Sequence, residues 1–202
     1  MNRVLLVGLA VAFTLGACAR GTRSTGPTLE VGAQNAARAR ELAAQAQAAS
    51  KGGNLDKSID LYRMSLAQSP DFGTVWHELG IVLMKRRADT DLVQAAQALK
   101  QAQSLLPSDP TPSYNLGVLY QGQGFEEDAL KHYEEALAID PYHIDALRGA
   151  ARSGKVLHKS DPAALDRLKR AQMIERDPTW RDLIVRERIR VENDLREASE
   201  RT

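Results

Sequence analysis

The feature that most constrains this 202-residue chain is the spacing of its helix breakers. Gly52-Gly53, Pro70, Pro107, the Gly122-Gln123-Gly124 turn, Pro141, Pro162 and Pro178 cut the sequence into helix-sized segments. Between them apolar residues recur every three or four positions, and no segment alternates with period two. Breakers at regular intervals predict helix pairs stacked in a row, because one such pair cannot bury its apolar face alone and must lean on the next. Composition agrees. Hydrophobic residues make up 43% but aromatics only 5%, which suits small-to-large helix packing better than a β-sandwich.

The clearest unit spans residues 110–143. It carries Leu116-Gly117, Tyr120, Gly124, Ala129, Tyr133, Ala136 and Pro141, and in this register it resembles the tetratricopeptide repeat. Gly117 would let two helices approach closely, Gly124 would turn the chain, and Tyr133 would fill the space between helices. Residues 73–109 form a second good unit, with Trp76, Leu79, Gly80, Leu83, Ala95, Leu99, Ala102 and Pro107. Its inter-helix turn, residues 86–91, is about three residues longer than the consensus allows. Two degenerate units flank these. The first carries Leu42, Ala46, Ala49, Gly53 and Tyr62, with Ser58 and Ser65 where alanines are usual. The last, residues 144–178, keeps Leu147, Ala151 and Pro178, and Ser160-Asp161-Pro162 should cap its second helix. The resemblance implies an all-α, right-handed solenoid of about four helix pairs, two clear and two degenerate, over residues 35–178. A charged capping helix follows over 179–202, with i,i+4 pairs Asp182–Arg186, Glu192–Arg196 and Glu197–Arg201.

The N-terminus reads as an address. Arg3 precedes an apolar run over residues 4–15, too short to span a bilayer comfortably. It ends in Leu15-Gly16-Ala17-Cys18, which resembles a bacterial lipobox. That resemblance implies a signal peptide over residues 1–17, diacylglycerol and palmitate on Cys18, and a tether over 18–34. Each buried CH₂ contributes about 0.8 kcal/mol, so three acyl chains would hold for good. Ala19 after the cysteine implies sorting to the outer membrane, facing the periplasm.

No catalytic pattern is visible. His77, His132, His143 and His158 form no metal-ligand spacing. There is no nucleophile elbow and no phosphate loop, since the Gly122-Gln123-Gly124 run sits at a repeat turn. Glu126-Glu127 and Glu134-Glu135 read as surface charge. The charge balance, 27 Lys and Arg against 26 Asp and Glu, gives a net of +1 and argues against a nucleic-acid binder. No enzyme, cofactor or metal is expected.

What remains is binding. Repeat register places His77, Ile81, Met84 and Lys85, then Tyr114, Val118 and Gln121, then Arg148 and Arg152 on the concave face of the stack. Tyr and Arg often anchor interfaces. The rim and convex face remain open as alternatives. Asn115 stands where relatives grip a C-terminal carboxylate, but its companions are missing. Lipobox, tether and repeats together resemble the pilotin lipoproteins of type IV pilus systems. That implies a membrane-anchored scaffold that binds a protein, a secretin or another component, during assembly of an envelope, motility or secretion complex. An adaptor that regulates a periplasmic protease or cell-wall hydrolase is the alternative.

Overall fold

The structure, a computed structural model, describes residues 27–88 and 90–201, with side chains from Val31 onward. Cys18 and the whole of the expected signal segment lie outside the described residues. Among the described residues the chain forms nine helices: α1 (Pro27–Lys51), α2 (Leu55–Gln68), α3 (Gly73–Arg86), α4 (Asp91–Leu105), α5 (Thr111–Gln121), α6 (Glu126–Ile139), α7 (Ile144–Val156), α8 (Pro162–Ile174) and α9 (Pro178–Glu200). They pair as α1 with α2, α3 with α4, α5 with α6, and α7 with α8. Each pair packs on the next, and α9 closes the stack against α7 and α8. This is the expected solenoid of four pairs and a capping helix. None of the described helices is long and apolar enough to cross a membrane.

One boundary differs from expectation. Residues 27–34, read as tether, are the first two turns of α1. Proline is tolerated in a first helical turn, and the Ala-rich run behind it carries the helix outward. Within them Val31, Gly32, Ala33 and Gln34 are exposed, and the first buried residue among those described is Ala39. The helix therefore projects past its partner rather than packing.

Local chemistry sets the other ends. Asn54, His143, Asp161 and Asp177 each accept a backbone N–H of the helix that follows. Gly53 and Gly124 both turn with φ +81°. The long turn after α3 is closed differently. Arg87 takes a left-handed φ of 58°, and the fully buried Asp91 holds the loop. Its carboxylate accepts from Arg86 Nε at 2.8 Å, Arg86 Nη2 at 2.6 Å and the Ala88 N–H at 2.8 Å. Arg86 also reaches Asp56 on α2 at 2.7 Å, so the enlarged loop is bolted to the preceding pair.

The tightest joint is built on one ring. Tyr133 on α6 is 1% exposed and lies against two glycines. A Cβ on Gly117 of α5 would stand 2.5 Å from Tyr133 Cε1, and one on Gly149 of α7 would stand 2.4 Å from Tyr133 Cζ. The ring thus locks its own pair and the next at once. Gly80 plays the first of these parts in its unit, where a Cβ would stand 2.7 Å from Leu99 Cγ.

The first pair achieves closure by other means. Ser58 and Ser65, both fully buried, donate to Ala46 O at 2.8 Å and Ala39 O at 2.7 Å across the helix interface. A small residue is needed where helices cross, and serine fits because its hydroxyl finds a carbonyl. Ser65→Ala should therefore cost no more than about 1 kcal/mol, while Ser65→Val overpacks the crossing and should cost about 1–3 kcal/mol. Urea titrations of the two variants would show equal losses if steric fit were unimportant.

On α9 the buried residues are Ile184, Glu187 and Val191. α9 packs on α8 and also touches α7, as α7 packs on α6 and touches α5. The capping helix therefore stacks as the first helix of a further unit would. Two of its expected ion pairs form, Asp182–Arg186 and Glu197–Arg201. Glu192 pairs backward with Arg188 instead, and Arg196 turns to Asn193.

Candidate partner-binding groove

The expected groove residues lie on α3, α5 and α7, the first helices of their pairs. Lys85 and Arg152 are exposed; His77, Ile81, Met84, Tyr114, Val118, Gln121 and Arg148 are half-buried. Met84, Tyr114 and Val118 lend part of their surface to the core.

Polar links join the three helices along this face. Between α3 and α5, the Asn115 amide donates to His77 Nε2 at 2.8 Å. Between α5 and α7, Gln121 Nε2 donates to Ser153 Oγ at 2.8 Å, and Gln121 Oε1 accepts the Tyr133 hydroxyl at 3.1 Å. Ser153 in turn donates to Glu126 at 2.6 Å. The Tyr114 ring lies 5.2 Å from the His143 ring and 6.1 Å from Tyr133. Burial raises the Tyr114 hydroxyl above its ordinary range, so it stays a neutral donor. A cleft of about 270 Å³ opens at the other end of the face, between α1 and α3, edged by Ala43, Gln47, Thr74 and Glu78.

Arg148 is held by the chain itself. Its guanidinium donates to Glu175 through Nε and Nη2, both at 2.7 Å, and reaches Asp145 at 3.2 Å. It also lies 5.6 Å from the Trp180 ring. Glu175 is buried, and the Arg148 hydrogen bonds hold its carboxyl below the ordinary range against the opposing effect of burial. This cluster ties α7 to the α8–α9 junction. A depressed folded-state value means stability that is fully present above about pH 4.3 and fades as acid protonates the carboxylate. Replacing Glu175 with Gln should cost roughly 2 kcal/mol at pH 7 and progressively less below pH 4, a narrowing that denaturation curves at pH 7, 4 and 3 would reveal. A gap independent of pH would mean the carboxylate charge is not what Arg148 binds.

The acidic pairs keep the surface reading only in part, since Glu127 and Glu134 are exposed while Glu126 and Glu135 are half-buried. Glu127 faces solvent, but Glu126 accepts Ser153 and Gln121. Glu134 pairs with the nearly buried Arg167 at 2.6 Å. Glu135 bridges His132 at 2.7 Å and Gln103 at 3.0 Å; burial pushes its carboxyl up, and these bonds outweigh it and hold it down. Such residues fasten adjacent helices. Lys155, absent from the expected set, is exposed on α7 at i+7 from Arg148 and i+3 from Arg152, a spacing that puts all three over one face. Among the described residues no cluster of His, Cys, Asp and Glu could hold a metal.

Stacked helix pairs with a continuous apolar seam and a mixed face along their first helices define a helical-repeat scaffold. Its helix pairs are similar to tetratricopeptide repeats. Residues 112–143, which cover α5, α6 and the turn beyond, match the tetratricopeptide repeat model. Over 118 residues, 58% of its length, the chain is 32% identical to the peroxisomal targeting signal receptor of Eremothecium gossypii. It spans only 19% of that relative. Among solved structures it is similar to a MamA protein, with TM-score 0.60 at 19% identity over 72% of this chain and 76% of that one. The first tetratricopeptide domain of Spaghetti, bound to an HSP90 peptide, gives 0.57 at 18% identity over 61% and 96%. The Arabidopsis OM64 domain gives 0.56 at 16% over 60% and 98%. At these identities the likeness is one of fold.

Proposed function

We propose that this protein is a non-catalytic scaffold, anchored to the bacterial outer membrane through an acylated Cys18, that holds a protein partner during assembly of an envelope complex. The observation that carries the binding half is the first-helix face. Tyr114, Val118 and Ile81 leave part of their surface uncovered beside an exposed Arg152, while on the same face Asn115 is bonded to His77 and Gln121 to Ser153. A surface that is rigid, partly apolar and charged at one end has the make-up of an interface core and rim. The Spaghetti domain, alike in fold, is bound to a peptide. The anchoring half rests on the lipobox-like Leu15-Gly16-Ala17-Cys18 sequence, and the envelope role on its combination with the repeats.

Two experiments on the full chain in cells test the halves separately. Cys18→Ser should abolish incorporation of labelled palmitate and move the protein from the membrane to the soluble fraction, with no change in folded content. Retention in the membrane would defeat the anchor and leave the scaffold standing. A photo-crosslinking residue at Val118 or Tyr114 should capture an envelope assembly component, whereas one at Lys169 on α8 should not. Capture of a periplasmic protease or cell-wall hydrolase would replace the assembly role by a regulatory one. Crosslinks confined to Lys169 would move the site off the groove.

A further inference from the structure

Lys and Arg nearly balance Asp and Glu over the chain, but they are not evenly paired. On α9, Arg186, Arg188 and Arg190 each have an acid within one turn, as does Arg201 just beyond it, while Arg196 turns to Asn193. On α7 the cations also divide. Arg148 is taken by Glu175 and Asp145. Among the described residues, neither Arg152 nor Lys155 has a carboxylate at ion-pairing distance, although both are exposed. Neighbouring acids are engaged: Glu187, which lines a small cavity with Lys155, pairs with Arg190, Asp145 with Arg148, and Glu126 with Ser153 and Gln121. Beside this cationic pair run Tyr114 and Val118 of α5, held alongside α7 by the Gln121–Ser153 bond at 2.8 Å.

Resting on the scaffold reading above, we propose that the α5–α7 stretch of the groove binds an extended acidic segment of another protein, with carboxylate side chains on Arg152 and Lys155 and an apolar side chain on Val118 beside Tyr114. Charge selects the occupant. The chain's own residues 1–26 contain Arg3, Arg20 and Arg23 and no acid, so they do not complement this surface. Geometry sets the motif. Packed helix axes lie about 8–10 Å apart, and an extended chain advances about 3.3 Å per residue. An acid and a large apolar residue three positions apart would therefore span from α7 to α5. Recognition falls on side chains, so a free C-terminus is not required.

The test is selection by the full chain from a random twelve-residue library displayed within a carrier loop, so that no peptide has a free end. Selected sequences should be rich in Asp and Glu with an apolar residue three positions away. The double variant Arg152→Glu, Lys155→Glu should bind them about tenfold or more weakly, and the parent should lose affinity as salt rises. Lys169→Glu should change nothing. Neutral or basic selected sequences, or acidic ones indifferent to the double variant, would overturn this inference while sparing the scaffold reading. A library that yields no binder removes both. A dimer in sedimentation that the double variant dissolves would make the occupant a second copy and overturn the proposal.

Discussion

Tyr133→Ala should lose about 3–5 kcal/mol of stability and unfold in two steps rather than one. Domains of this size are stable by only about 5–15 kcal/mol, so the loss is a large fraction of the whole. The reason is that a single ring fills both the crossing within the third pair and the crossing between the third pair and α7. In a solenoid, stability is a sum of unit and interface contributions, and this substitution removes one of each. The chain carries its own reporters, since Trp76 lies on α3 and Trp180 on α9, either side of the joint. Single-tryptophan versions followed by fluorescence in urea should give coincident curves in the parent and separated ones in Tyr133→Ala. Tyr133→Phe keeps the ring and gives up only the bond to Gln121, so it should cost about 1 kcal/mol. If Tyr133→Phe proved as damaging as Tyr133→Ala, the hydroxyl network rather than the volume would hold the joint.

Arg86→Ala should cost a further figure of the same size, about 3–5 kcal/mol, because it strands a buried charge. Asp91 is fully buried and depends on Arg86 for two of its three hydrogen bonds. In the intact protein those bonds keep its carboxyl below the ordinary range, so its contribution is fully present above about pH 4 and fades as acid protonates it. With the guanidinium gone, burial alone would raise the carboxyl, and protonation would relieve the penalty. The difference between parent and variant should therefore be largest at pH 7 and shrink toward pH 4. Urea denaturation at both values checks it. A variant that also carries Asp91→Asn should recover part of the loss at pH 7, and failure to do so would mean the loop is held by something other than this pair.

The sequence was most legible where a residue is a steric requirement. Gly117, Gly124 and Tyr133 were each read as a mechanical part of a helix pair, and the structure puts every one to that task, with Tyr133 serving the next pair as well. The Asp161-Pro162 start of α8 was readable for the same reason, since capping is local. What escaped depends on partners far along the chain. Arg148 meets Glu175 27 residues later, and no spacing rule links them. Glu134 and Glu126 looked like surface charge because their partners, Arg167 and Ser153, sit on neighbouring pairs. The Ser58 and Ser65 substitutions looked like decay of the repeat, since a hydroxyl's acceptor cannot be seen from the hydroxyl. Lys155 was within reach, because its i+7 relation to Arg148 is a local pattern.

The contact of Tyr133 with Gly117 and Gly149 also restricts the route by which this chain could diverge. While the ring is present, neither glycine can gain a Cβ without moving packed neighbours, for no Cβ sits under 3.0 Å from a ring atom. Once the ring shrinks, both are released together. The three positions, spread over 33 residues from Gly117 to Gly149, are therefore ordered in mutational time. The aromatic must change first, and the glycines are free to drift only afterwards.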